Sequence, residues 1–515
     1  MMQPEFLQPS WPFYNVINPS LDQLCADDCG FSANSFTSKD DSAEFFSLPN
    51  SSSGFSSEFI QFPVCTDDEV QAMMEEFSME LEQFEPVFGD EVENFCASFD
   101  NSEGSFPSEL SPEMENVWSP SLSTKSSEGS MDTALTLPGD DMEIDNQLGI
   151  LHLLKAYGEA TEKKQRELAE VIIRCLSEKV SPAGETLERL AFNLSPDSEK
   201  QGDYLIQESS KNFEAAFKAF YQIFPYGRFA HFAANSAVLE AMPDDAEVIH
   251  IVDFDMGEGI QWPPVIEAIA GQGKTLRLTS INMEDKDFAC APWHWSFEET
   301  RKQLCDYARC FGLKLKVEEM GIEDLVREKK TMKKRGGCGE WLVFNCTVGL
   351  PHMGRNRSRK HVKDFLQVAE EILSYNRGII TSGDGDACEK LTWSSGFGSF
   401  FEGYLEHYQA LLESMKSSIP IHLAEARMAM DCLFAAPYIS SQGWFQKWEE
   451  IRQGYHLQAG IGLKECKVNR DMLMEAKEMV KGESKYEVTI GGQSENELIL
   501  EWRGTPLVRV SAWRS

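Results

Sequence analysis

The chain has 515 residues with 84 acidic and 47 basic side chains, a net charge of −37. That balance argues against a protein whose whole surface grips nucleic acid by charge alone. No apolar run approaches the ~18 residues of a membrane-spanning helix, so no membrane role is expected.

Residues 1–145 read as one unit. They hold 30 acidic and only 2 basic residues, together with 15 of the 33 phenylalanines. Stretches such as "FSLPNSSSGFSSEFIQFPVC" cannot bury enough apolar surface to offset the entropy of ordering, which predicts a disordered acidic tail. In "MMEEFSMELEQFEPVFGDEVENFCASF" acids are interleaved with Phe and Leu. Charge there keeps the apolar side chains exposed for a partner, as in activation segments; a merely solubilising tail is the bland alternative. The N-terminus lacks the basic and apolar regions of a secretory signal. The 13 cysteines, with Cys25 and Cys29 the one close pair in the N-terminal half, contain no CxxC pair and no zinc-like spacing. Reduced thiols and no metal site are expected.

Order is expected from about Asp145, with a helical cap over 146–243. Leu168, Val171, Ile172, Cys175 and Leu176 recur at helical spacing and give one apolar face. "SPAGETLERLAFNL" predicts a second helix with Ser181 as cap and Pro182 in its first turn. Phe213, Ala216, Phe217, Phe220, Tyr221 and Phe224 form a third stripe, stopped by Pro225. Phe229, Phe232, Ala233, Ser236 and Ala237 form a fourth.

From 244 to 515 the rhythm becomes α/β. "VIHIVDF", "LRLTSI", "LKLKV", "WLVFNC" and "GIITS" predict strands, separated by helical stretches at Pro264–Gly271, Glu298–Phe311 and Val362–Ser374. "ELILEW", "RGTP" and "LVRVSAW" predict a late antiparallel pair. The fold class expected is α/β: a Rossmann-like, methyltransferase-like, mostly parallel sheet with a C-terminal antiparallel pair and an α-helical cap.

The turn after the first strand is the one cofactor-like feature. Asp253 ends the strand, and Gly257 and Gly259 would let backbone approach a ligand. Asp255, however, takes the place of a first glycine, and Glu258 lies between the other two. Carboxylates stand where a cofactor would pass, so the loop reads as degenerate and no cofactor is expected. His250, inside an apolar strand, reads as a hydrogen-bonded core histidine. Trp293, His294 and Trp295 form a packing or contact segment. No GxSxG, HExxH or P-loop occurs, and no catalytic residue is assigned. Two basic clusters, with Lys329, Lys330, Lys333, Lys334 and Arg335 in one and Arg355, Arg357, Arg359, Lys360 and Lys363 in the other, read as a possible nucleic-acid or nuclear-import patch, or as solvated loops.

Taken together, residues 146–515 resemble the plant GRAS family of transcriptional regulators. "VIHIVDFDMGEGIQWPPVIEAIA" resembles the VHIID motif, with Val248, His250, Ile251, Val252 and Asp253 at its core and Gln261 and Trp262 following. "AFKAFYQIFPYGRFAHFAANSAVLEA" resembles the end of the first leucine-rich region. "WRGTPLVRVSAW", from Trp502 to Trp513, resembles the terminal SAW motif with Ser511, Ala512 and Trp513. "WLVFNCTVGLPHMGRNRSRK" and the PFYRE-like stretch resemble the nodulation signalling pathway 2 branch of that family. The resemblance implies a nuclear, non-enzymatic co-regulator in symbiotic and strigolactone-related signalling. It would act as a heterodimer with another GRAS protein, or as a homodimer, and with other transcription factors, meeting DNA through its partner. The expected interface is the helical cap at Leu148, Leu151, Leu154, Leu168, Val171 and Ile172. The rival readings are an S-adenosylmethionine-dependent methyltransferase and an autonomous DNA-binding factor.

Overall fold

The structure, a computed structural model, describes residues 72, 140–195, 199–282, 296–334, 340–354, 357–455, 462–482 and 485–515. The acidic stretch 1–139 apart from residue 72, the Trp293–Trp295 segment, Arg335 and Arg355 lie outside the described residues.

Among the described residues six α-helices precede the first strand: α1 (Asp140–Glu162), α2 (Arg166–Ser177), α3 (Thr186–Leu194), α4 (Glu199–Ser209), α5 (Phe213–Ile223) and α6 (Pro225–Ala241). Ser181 does not start a helix. Its Oγ accepts from the Ala183 amide at 3.3 Å within a turn, and α3 begins only at Thr186. Ser and Gly at the two ends of "SPAG" favour the turn over the first helical turn. Phe224 is extended, as a residue before proline tends to be, so α5 ends there and Pro225 opens α6. The six aromatic and alanine positions of the α5 stripe are all buried. α6 is buried on nearly every side and lies against the sheet.

The sheet consists of β1 (Val248–Asp253), β2 (Thr275–Ile281), β3 (Lys314–Met320), β4 (Glu340–Val348), β5 (Gly378–Asp384), β6 (Lys464–Glu465), β7 (Tyr486–Gly491), β8 (Glu497–Trp502) and β9 (Thr505–Arg514). Its order is β3-β2-β1-β4-β5-β9-β8-β7, with β6 also pairing β9. Helices α7 (Pro263–Ile269), α8 (Phe297–Cys310), α9 (Ile322–Lys334) and α10 (Arg359–Leu373) link the first five strands. Side-chain alternation divides the strands between two cores. Ile249 and Ile251 face the cap helices, whereas Val252, Phe344 and Ile380 pack with Phe365 and Leu366 of α10.

After β5 the chain turns helical again, through α11 (Glu389–Trp393), α12 (Phe397–Ser418), α13 (Ala424–Met430), a π-helical turn at Asp431–Ala435, α14 (Ala436–Ile439), α15 (Ser441–Arg452) and later α16 (Arg470–Glu478). These helices join the cap. α1 crosses α12 so closely that a Cβ on Gly158 would lie 2.6 Å from the Phe401 ring. Buried Arg189 of α3 pairs with buried Asp431 and donates to the Leu412 carbonyl at 3.2 Å.

The expectation of a Rossmann-like, methyltransferase-like fold built mostly of parallel sheet is therefore corrected. Over the described residues the protein is predominantly helical, 58% helix against 18% strand. The eight strand pairings also divide evenly: β1–β2, β1–β4, β2–β3 and β4–β5 are parallel, while β5–β9, β6–β9, β7–β8 and β8–β9 are antiparallel. The runs of β1, β4 and β5 stand out in sequence because they are short and mostly apolar. The helices on either side of them carry most of the ordered chain.

Candidate functional site

β1 delivers Asp253 to the start of the "FDMGEG" loop. The Asp253 carboxylate accepts from the indole N–H of Trp262 at 2.9 Å and from Nδ2 of Asn345 at 3.0 Å. Asn345, in the neighbouring strand β4, is itself held by Gln261 Nε2 at 3.2 Å and the Thr381 hydroxyl at 2.9 Å. Asn235 of α6 closes the network by donating to the Gln261 carbonyl at 2.8 Å. Burial pushes the Asp253 carboxyl up to about 7, against the two hydrogen bonds that favour its ionised form. Both of its oxygens are engaged by protein donors, so neither is presented to a ligand.

The rest of the loop is engaged in the same way. Asp255 forms an ion pair with Arg357 at 2.8 Å. Gly257 and Gly259 both have positive φ, which an L side chain adopts only with strain. A Cβ on Gly259 would also meet Thr300 of α8 at 2.9 Å. The Thr300 hydroxyl donates to the Gly257 carbonyl at 3.1 Å. Glu258 is nearly buried. The glycines thus serve the packing of α8 against the loop.

His250 points to the opposite end of β1. It is wholly buried, with Nε2 2.8 Å from the Thr279 hydroxyl and Nδ1 2.8 Å from the ammonium of Lys329. Lys329 also donates to Glu340 at 2.7 Å. Burial lowers the imidazole to about 4, so it is neutral, and its Nδ1 also lies 3.0 Å from the Glu340 carboxylate. Lys329 is accordingly an internal partner and not a surface base.

The basic clusters divide in the same manner. Lys330 is exposed and lies 3.8 Å from Glu371; Lys333 and Lys334 end α9. In the second cluster Arg357 meets Asp255, and Arg359 is buried beside Asp386 at 3.2 Å. Lys360 is exposed, and Lys363 donates to the Gly454 carbonyl at 3.3 Å. Carboxylates inside the protein engage Lys329, Arg357 and Arg359, whereas Lys330 and Lys360 stand exposed.

On the cap, Leu154 and Ile172 are buried in the protein's own core and Leu151 is half-buried. Leu148, Leu168 and Val171 are 52%, 48% and 53% exposed. α2 carries two apolar stripes. Ile172 and Leu176 face inward, and Leu168, Val171 and the free thiol of Cys175 face solvent. Of the SAW residues, Trp502, Ser511 and Ala512 are buried, and Trp513 packs on the α10 core.

A second buried polar cluster is invisible to motif reading. Asp386, just after β5, accepts from Lys447 of α15 at 2.8 Å and from the Tyr408 hydroxyl of α12 at 3.0 Å, beside Arg359 of α10. Burial pushes this carboxyl up, but Lys447 and Arg359 outweigh it and hold the group below the ordinary carboxylate range. Asn345 was also missed, although a lone polar side chain within "WLVFNC" is the signal that marks it.

Residues 150–514 match the model of the GRAS domain family. Similar curated proteins include Protein NODULATION SIGNALING PATHWAY 2 of Medicago truncatula, 28% identical over 73% of this chain and 77% of that one. The protein of the same name from Lotus japonicus is 27% identical over 71% and 76%. Among solved structures, that of SCL7 in Oryza sativa has a TM-score of 0.51 at 23% identity, covering 71% of this chain and 99% of the other. That likeness concerns fold alone, and it places the helical architecture described above beside another solved chain.

Proposed function

The chain belongs to the GRAS domain family, and from that premise we propose that it is a non-enzymatic transcriptional co-regulator that pairs with a second GRAS protein through α1 and α2. The observation that carries this reading is the exposed stripe of Leu168 and Val171 on a helix whose other stripe is already buried. A soluble helix needs one apolar face for its own core; a second one is free for a partner. The engaged carboxylates of the β1 loop support the non-enzymatic part, since Asp253 and Asp255 serve protein donors. We place the protein in the nucleus and in symbiotic signalling, on its likeness to the two nodulation signalling proteins. DNA is met through the partner, and the acidic segment 1–145, apart from the 146–515 GRAS unit, recruits other factors.

The test is co-precipitation of the full chain with a panel of GRAS proteins. Leu168→Glu and Val171→Glu are expected to weaken pairing about a hundredfold, because an unpaired charge buried at an interface costs about 3 kcal/mol or more. As both side chains are half exposed, thermal stability should stay within about 0.5 kcal/mol. Retained pairing in both variants would show that α2 is not the interface.

A further inference from the structure

Pairing through α1 and α2 uses none of the bases around Ser358. In sequence Arg355 and Arg357 precede that serine, and Arg359, Lys360 and Lys363 follow it. Ser358 is the residue just before α10, and α10 has no acidic residue in its first turn. Bases at that end oppose the helix dipole, whose N-terminus favours an anion. The fold brings the anion from elsewhere. The Ser358 hydroxyl donates to one carboxylate oxygen of Glu450 at 2.9 Å, and the Arg359 amide donates to the other at 3.1 Å. Glu450 belongs to α15, so one carboxylate both completes the start of α10 and ties α15 to it.

The serine is within reach. It is half-buried, and Lys360 beside it is exposed. Ser358 precedes the helix and joins its ladder through its carbonyl, which accepts from the Val362 amide at 3.1 Å. Lifting it breaks that bond and the bond to Glu450, and leaves the rest of α10 intact. The surroundings are tuned to charge. Arg357 is held by Asp255 of the β1 loop at 2.8 Å. Lys363 donates to the Gly454 carbonyl just past α15 at 3.3 Å, its ammonium 5.6 Å from the Tyr455 ring centre. α15 in turn sets Trp444 edge-on against Tyr157 of α1, ring centres 6.5 Å apart.

We propose that Ser358 is a phosphorylation site for a basophilic serine/threonine kinase, and that its phosphate replaces Glu450 as the anion at the start of α10. Bases on both sides of a serine complement a kinase with an acidic substrate groove. In the transfer Ser358 Oγ bonds the γ-phosphorus of ATP as the bond from that phosphorus to the bridging β–γ oxygen breaks. ADP leaves, and the hydroxyl proton passes to the catalytic carboxylate of the kinase. The product carries close to two negative charges and no donor toward Glu450. The Arg359 amide and the neighbouring bases hold the phosphate, while Glu450 is repelled. α15 thereby loses its carboxylate tie to α10.

The experiment incubates the intact chain with magnesium ATP and the catalytic domain of a protein kinase C, which takes serines flanked by bases, and maps phosphate by mass spectrometry. Phosphate is expected on Ser358, and about tenfold faster in Glu450→Ala, which releases the hydroxyl. Ser358→Ala should lose that phosphopeptide. Hydrogen–deuterium exchange then compares the phosphorylated with the untreated chain. The amides of α15 should exchange about tenfold faster after phosphorylation, with those of α5 unchanged. Absence of phosphate on Ser358, or a phosphorylated chain whose α15 exchanges at the untreated rate, overturns the proposal. Both of those readings come from the unsubstituted chain, so neither depends on a variant folding.

Discussion

Burial holds the His250 imidazole at about 4, so the folded chain keeps it neutral where an unfolded chain, near 6.5, takes up a proton. The unfolded state therefore binds more protons between these values, and stability falls as pH drops through that window. Glutamine offers this site an amide donor and acceptor that do not titrate. His250→Gln is expected to remove up to about 1.4 kcal/mol per pH unit from the slope of stability against pH between about 6.5 and 4. Urea melts across that range measure it; an unchanged slope would mean that His250 is not neutral in the fold. Asp253 has the opposite sign. Its raised carboxyl favours the folded state as pH falls from about 7, so it partly offsets His250. At this scale the sequence was readable in type but not in partner. A histidine amid "VIHIVDF" announces a buried, hydrogen-bonded ring, yet Lys329 comes from a run that looks like a solvated basic cluster. Only the fold of α9 onto β1 turns that lysine inward.

Among the elements, α10, α12 and α15 meet the end of β5 at Asp386. Three elements are tied to one buried carboxylate through Arg359, Tyr408 and Lys447. Removing one cation leaves a buried charge short of a partner. Lys447→Met is expected to cost about 3 kcal/mol in denaturant unfolding, with partial recovery when Asp386→Asn is added. A loss under about 0.5 kcal/mol would show that Arg359 alone satisfies Asp386. The stripe of α5 and the runs of β1, β4 and β5 were legible because periodicity and burial coincide there. The start of α3 was not, because proline after serine fits both a helix opening and a turn. The placement of Leu154 and Ile172 inside, and of Leu168 and Val171 outside, was not legible either. A helix with apolar residues on two sides gives no clue in its sequence as to which stripe its own core will take.

For the whole molecule, the sheet is held between two helical layers, and α12 joins the cap at Gly158 to the segment that follows β5. The alternation of strands with helices from residue 244 on points to a mostly parallel fold class, which the helix content and the antiparallel β5–β9–β8–β7 half correct. Long helices whose apolar positions face several neighbours lose clear periodicity, as α6 does, and so carry less weight in a sequence than they do in the fold. In this architecture the β1 loop is closed by its own side chains, and the cap offers the open apolar stripe. Hydrogen–deuterium exchange on the full chain, alone and with a bound GRAS partner, tests that account most directly. Protection confined to α1 and α2, with the 253–262 loop unchanged, is the expected result; protection centred elsewhere, with α2 exchanging as freely as before, would contradict it.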